Sequence, residues 1–174
     1  SSAIGIFESG LFGRDKDVSY FSMIALGQIK TDLAARILLA YLRKDRLAGQ
    51  KISSIMETFP SSAAAEVVKV IHDTDPSVRF WALKILSRLK PSAEYASDVA
   101  LLAHDDDPAV RACACECLGV IGGAHAAGVL LKALKDSSWL VRAGAAHGLA
   151  NALGPESVKS IIGLLNDSSL NVIT

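Results

Sequence analysis

The stretch Asp105-Asp106-Asp107-Pro108-Ala109-Val110-Arg111-Ala112-Cys113-Ala114-Cys115-Glu116-Cys117-Leu118-Gly119 decides the fold, because it recurs. Asp73-Thr74-Asp75-Pro76-Ser77-Val78-Arg79 and Asp136-Ser137-Ser138-Trp139-Leu140-Val141-Arg142 carry the same frame, with Asp leading Arg by six positions. Asp167 to Ile173 keeps the frame and replaces Arg; the steps from Arg79 through Arg111 and Arg142 to Ile173 are 32, 31 and 31 residues. Asp15 to Ser19 fits upstream. A leucine stands seven after each arginine position, at Leu86, Leu118 and Leu149, and Leu26 holds that slot after Ser19. A degenerate unit near Gln50-Lys51 lacks these letters. A period of this length marks a repeat architecture in which no single unit buries its apolar face alone.

Each unit reads as two helices. The first starts after Asp15, Asp75, Asp107, Ser138 or Ser169, whose side-chain oxygens suit an N-cap. Pro76 and Pro108 follow at the first helical position, where the missing N–H has no helical partner to lose. Val110, Ala114, Cys117, Leu118 and Ile121 make an apolar stripe at helical spacing. Gly119, Gly122 and Gly123 read as helix termination, and Gly154 can end a first helix likewise. The second helices are expected over Thr31–Arg43, Ser61–His72, Ser92–His104, Ala124–Lys135 and Pro155–Leu165. The fold class is therefore all-α, a right-handed α-solenoid of about five to six stacked helix pairs. The approximate units are 1–12 (partial), 13–44, 45–72, 73–104, 105–135, 136–166 and 167–174 (partial), in one repeat domain. Apolar ends such as Ile4, Phe7, Val172 and Ile173 suggest a segment of a longer solenoid, able to associate through uncapped ends.

The pattern Asp-x-Asp-Pro-x-Val-Arg-x-x-Ala-x-x-x-Leu-Gly resembles the HEAT repeat. Its short period resembles the bacterial subtype first noted in phycobilisome lyases. The resemblance covers nearly the whole chain and is weakest at Lys44–Pro60. It implies an α-solenoid, but repeats of this kind serve scaffolds, adaptors, lyases and inhibitors, so function has to come from the residues.

Composition narrows the classes. Lys plus Arg and Asp plus Glu are 18 each, for a net charge of zero. A nucleic-acid binder usually shows a basic excess. The cations expected on the second-helix row (Arg36, Arg43, Lys69, Lys132, Lys135, Lys159) lie among Glu66, Glu94 and Asp98, unlike the basic face of HEAT-like DNA glycosylases. No apolar run is long enough to span a bilayer. A cytoplasmic location, or a place in the soluble part of a larger protein, is expected. The 3 cysteines sit together rather than forming a disulfide framework, which points to a reducing compartment. The His-Glu pairs of HEAT-like di-iron hydroxylases do not occur, no HExxH is present, and no cofactor is implied.

Two charged features demand an account. Arg79, Arg111 and Arg142 place a cation in the first turn of a helix, at the unfavourable end of its dipole. On the helical wheel Arg111 points about 60° off the apolar stripe, toward a neighbouring unit. A ladder to the next unit's Asp105, Asp136 or Asp167 would compensate. The acidic turns themselves form a solvated edge with caps in it, and they lack the Gly and Glu of a calcium loop.

The cysteines read as packing. Cys115 aligns with Met23, Leu83 and Ala146, and Cys117 with Ala25, Ile85 and Gly148. Cys115 lies roughly 160° from Cys117 on the wheel, so the three thiols cannot meet one metal. Cys113 is expected to be the one thiol open to solvent reagents. Trp81 is read as packing and Trp139 as partly exposed.

The expected function is a non-enzymatic scaffold or adaptor. It would bind a protein through the concave second-helix row, with Tyr41, Lys69, Tyr95, Lys132, Trp139 and Lys159 as candidate contacts. The repeat subtype implies an alternative, a bilin lyase-like or chromophore-handling subunit in which Cys113 would matter. A regulatory module of a larger enzyme is the third reading.

Overall fold

A computed structural model describes residues 2–153. Asp167, Ser169, Lys159 and the helix expected over 155–165 lie outside the described residues. Those described form ten α-helices and three short 3-10 turns, with no strand. They divide into two compact units, with the boundary between Pro91 and Ser92.

In the first unit α1 (Ala3–Leu11) pairs with α2 (Lys16–Ile29), which leads into α3 (Asp32–Lys44). A 3-10 turn over Arg46–Ala48 enters α4 (Gly49–Met56), another over Ser61–Ala63 enters α5 (Ala64–Val68), and α6 (Pro76–Arg88) follows. The first helices α2, α4 and α6 pack in sequence, and α3 and α5 pack beside them. The second unit holds α7 (Ala96–Leu102) after a 3-10 turn over Ala93–Tyr95, then α8 (Pro108–Ile121), α9 (Gly123–Ala133) and α10 (Trp139–Leu153). Its most extensive pairing is α8 with α10, two successive first helices.

Capping fixes where these helices begin. Asp15, Asp75 and Asp107 are extended at the N-cap, and their carboxylates accept N–H bonds from Asp17 and Val18, from Ser77, and from Ala109 and Val110. Thr31 caps α3 through its Oγ1, which accepts from Ala34 N. Two of the second helices are shorter than the periodicity suggests. The segments expected over Ser61–His72 and Ser92–His104 spend their first turns as 3-10 helix and keep only α5 and α7 as α-helix. Pro60 and Ser92 precede those turns without a side-chain cap bond, so no local donor–acceptor pair draws the first turn into α geometry.

The leucines at plus seven are the constant of the core. Leu26, Leu86, Leu118 and Leu149 are all fully buried. Between them the first helices approach through glycine. A Cβ on Gly27 would meet Ile55 Cγ2 at 2.4 Å, and one on Gly49 would fall within 2.4 Å of the Trp81 ring. In the second unit the approach is backbone to backbone. A Cβ on Gly119 would lie 2.4 Å from Gly148 Cα, one on Gly144 2.7 Å from the Ala112 carbonyl oxygen, and one on Gly148 2.5 Å from that of Cys115. Gly119 is thus an interior contact residue of α8 and not part of its stop. The stop is Gly122, at φ +73°, whose N–H donates to Leu118 O.

These contacts predict opposite effects for one substitution. Gly144→Ala pushes a methyl group into backbone that cannot yield, and should lower stability by about 1–3 kcal/mol. Gly128→Ala, on exposed α9 with nothing within 4 Å of the new atom, should raise it by roughly 0.5–1 kcal/mol. Urea unfolding of both variants measures this. A stabilised Gly144→Ala would mean that α8 and α10 stand further apart than described.

Candidate functional site

The acidic turns and their arginines form one repeated device. Asp73, Asp105 and Asp136 each accept, through Oδ1, the N–H two residues on, from Asp75, Asp107 and Ser138. The arginine six residues after each Asp then folds back over the same turn. Arg79 Nη1 donates to the carbonyls of Asp73 and Thr74, Arg111 Nη1 to those of Asp105 and Asp106, and Arg142 Nη1 to those of Asp136 and Ser137, at 2.8–3.2 Å. This resolves the dipole conflict. The guanidinium meets carbonyl oxygens of the preceding turn, which carry negative partial charge, instead of facing the helix N–H groups.

Arg111 also reaches the next unit. Its Nε and Nη2 each donate to one oxygen of Asp136 at 3.0 Å, a bidentate pair with both side chains about five-sixths buried, at 16% and 17% exposed. The hydrogen bond from Arg111 holds the Asp136 carboxyl below the usual carboxylate range against the opposing effect of burial; the Ser138 N–H and the charges of Arg111 and Arg142 act in the same direction. The corresponding Asp73 is served by Arg43, at the end of α3, with Nε–Oδ2 at 2.6 Å. Burial pulls its carboxyl up, and the Arg43 bond, the Asp75 N–H and the charges of Arg43 and Arg79 bring it below the ordinary value. Arg46 pairs with Asp75 in the same way. Across the degenerate unit the contact is kept without the Val-Arg letters, by Arg43 from the preceding unit and by Arg46. That substitute is invisible to an alignment on Val-Arg, because Arg43 and Arg46 come from a different part of the repeat. Arg79 belongs to the first unit and Asp105 to the second. Ser138 precedes α10, and its carbonyl accepts the Arg142 N–H.

Each of the three cysteines is buried. Cys113 is 2% exposed, and Cys115 and Cys117 are fully buried. Burial pushes the Cys115 thiol up to about 11 and the Cys117 thiol up to about 12, with the nearby Glu116 charge adding to both. The expectation that Cys113 faces solvent is corrected: the wheel puts it on a flank, and the tight α8 packing covers that flank. The Cys115 slot is buried at Met23 and Leu83 but exposed at Ala146, so it is not a core position in every unit. Among the described residues no group of His, Cys, Asp or Glu is arranged to hold a metal ion.

The candidate contact residues scatter. Tyr41, expected on the binding row, is buried and stacks edge-on against Phe12 at 5.6 Å, because α1 folds across the α3 face. Lys69 is exposed beside Glu66, Lys132 is exposed on α9, and Tyr95 is half-buried. Trp139 is 70% exposed at the start of α10. A feature missed by periodicity is the set of large apolar side chains left open on the α2 side of the first unit, with Tyr20, Phe21 and Ile24 on α2 and Leu47 on the turn into α4.

Known proteins can be set beside this geometry. The HEAT repeats family matches residues 98–174. The fold is an all-α solenoid, with HEAT repeats shown over residues 98–174. The solenoid likeness extends over nearly the whole chain among solved structures. An engineered protein known from its crystal structure is 19% identical with a TM-score of 0.56, covering 97% of this chain and 91% of its own. The complex of CpcE and CpcF of phycocyanin lyase from Nostoc sp. PCC7120 is 15% identical with a TM-score of 0.55, covering 97% and 94%. At such identities the likeness concerns the HEAT-repeat fold alone. No curated protein matches the chain. No helix among the described residues is long and apolar enough to cross a membrane.

Burial of all three thiols, with those of Cys115 and Cys117 also raised in pKa, predicts silent cysteines. A thiol reagent such as Ellman's should label none of the three within minutes in the native protein, and all three after guanidinium unfolding. Prompt labelling of one native thiol would restore a solvent-facing Cys113.

Proposed function

We propose that this HEAT-repeat chain is a non-enzymatic scaffold that binds protein partners. The observation that supports this most is the exposure of large apolar side chains on well-packed helices: Trp139 at 70%, Phe21 at 67% and Leu101 at 65%. Large exposed side chains, aromatic ones such as Trp139 and Phe21 above all, are what protein interfaces draw on. The charged groups that could have served a ligand are occupied by the fold. Arg79, Arg111 and Arg142 are bonded to their own turns, and Asp73 and Asp136 to arginines and backbone N–H groups.

The second-helix row offers Lys69 and Lys132, with Tyr95 at its edge, as partner contacts, and Trp139 adds an anchor beside it in sequence. Tyr41 contributes from inside by supporting Phe12. The chromophore-handling alternative loses the reactive thiol it called on, since Cys113 is closed to solvent. A neutral overall charge favours a protein partner over nucleic acid.

Photo-crosslinking residues placed singly at Lys69, Lys132 and Trp139 in the full chain test this. At least two of the three positions should capture the same protein in cell extract, while one placed at the turn residue Asp106 captures none. Capture from none of the three, or equal capture from Asp106, would contradict the scaffold reading.

A further inference from the structure

A groove crosses the first unit between α2 and the corner where α3 turns into α4. Two adjoining cavities form it, of about 390 and 510 Å³, and they share Tyr20, Leu47 and Lys51. Its two ends differ in chemistry. One end is the more apolar, with Ile24, Ile55 and Leu47 beside Gln50 and Ser54. Leu47 is 94% exposed, on a 3-10 turn whose geometry is held by the Asp45 carboxylate accepting the Leu47 N–H. A leucine held so far into solvent by a fixed turn buries almost no surface against the other described residues.

The other end is basic. Arg14, Lys16, Lys44 and Lys51 line it against the single carboxylate of Asp45. The chain as a whole is charge-balanced, so four cations to one anion among the lining residues is a local positive excess, reduced but not reversed by Asp15 and Asp17 beside it. Two of the cations are positioned in advance. Lys44 Nζ donates to Phe12 O at 2.9 Å and stands 5.3 Å from the Phe12 ring centre, and Lys51 Nζ stands 5.1 Å from that of Tyr20. Arg14 and Lys16 make no ion pair among the described residues. Asp15 and Asp17 flank Lys16 in sequence but line neither cavity; Asp15 caps α2 and keeps its charge.

We infer that this groove docks an acidic peptide segment of a partner protein, with a large apolar side chain seated on Leu47, Ile24 and Ile55 and its Asp and Glu residues facing Arg14, Lys16 and Lys51. An open, elongated trough with an apolar end and a basic end matches an extended segment better than a compact solute, which would be enclosed. The inference rests on the protein-binding reading above but uses the first-helix side of the first unit, not the second-helix row.

The test is phage display of random twelve-residue peptides on the full chain, followed by fluorescence anisotropy with the selected peptides. The selected sequences should combine several Asp or Glu with a Leu, Phe or Trp. Their affinity should fall at least tenfold in Leu47→Ser and in the double variant K16E/K51E, and should weaken as salt rises. All three altered residues are exposed, so both variants should keep the wild-type melting curve; a variant that does not is replaced by Ile24→Ser or Arg14→Glu, read in the same way. Neutral or basic selected peptides, peptides that bind the variants unchanged, or no selection at all would overturn the inference. So would a labelled oligothymidylate that binds wild type and is lost in the same variants, or a dimer in sedimentation that Leu47→Ser breaks; these would assign the groove to nucleic acid or to a second copy. Crosslinking at Lys69, Lys132 and Trp139 reports the second-helix row separately, so a failure of the groove is distinguishable from a failure of that row.

Discussion

The contact on which this architecture depends is the arginine that closes the acidic turn. Its guanidinium does two things with one fixed plane. One edge takes carbonyl oxygens of its own turn, so a cation can stand at a helix start without opposing the dipole. The other edge, in Arg111, takes both oxygens of Asp136 one repeat further on. Asp136 in turn holds the N–H of Ser138 and so shapes the entry to α10. The start of one helix is thereby tied to the start of the next first helix. Lysine could supply the charge but not the fork.

With the starts tied, the distance between first helices is left to side-chain size, and it is small. Gly119, Gly144 and Gly148 let α8 and α10 touch at the backbone. The cysteines belong to this close layer. A thiol is little larger than a methyl group and tolerates burial, so three of them can share one crowded helix. The high pKa values of Cys115 and Cys117 follow from that position: a thiolate there would sit among apolar neighbours and beside Glu116.

The repeat turns were legible because their letters act locally. An Asp directly before a Pro, and an Arg six after an Asp, specify caps and turn bonds within a few residues, and the leucine at plus seven needs only helical periodicity to be read as core. What depends on neighbouring helices was not legible. Cys113 lies on a helical flank whose burial is decided by residues of another helix. Tyr41 is covered by α1, which no repeat letter announces. The groove beside Leu47 was hidden for the same reason: it lies where the degenerate unit has lost its letters, and an alignment records that stretch as weak resemblance. The substitution of Arg43 for the missing ladder arginine shows that the contact can persist when the pattern does not.

Burial, not distance, should decide what these ion pairs contribute. Arg88 and Glu57 stand closer, at 2.6 Å, but are 45% and 56% exposed, whereas Arg111 and Asp136 are 16% and 17% exposed. Double-mutant cycles on both pairs, read by urea unfolding, compare them directly. A turn that ties successive repeats predicts a coupling of about 1 kcal/mol or more for Arg111 with Asp136, and about 0.5 kcal/mol or less for Arg88 with Glu57. Equal couplings, or the larger one at Arg88 and Glu57, would contradict it.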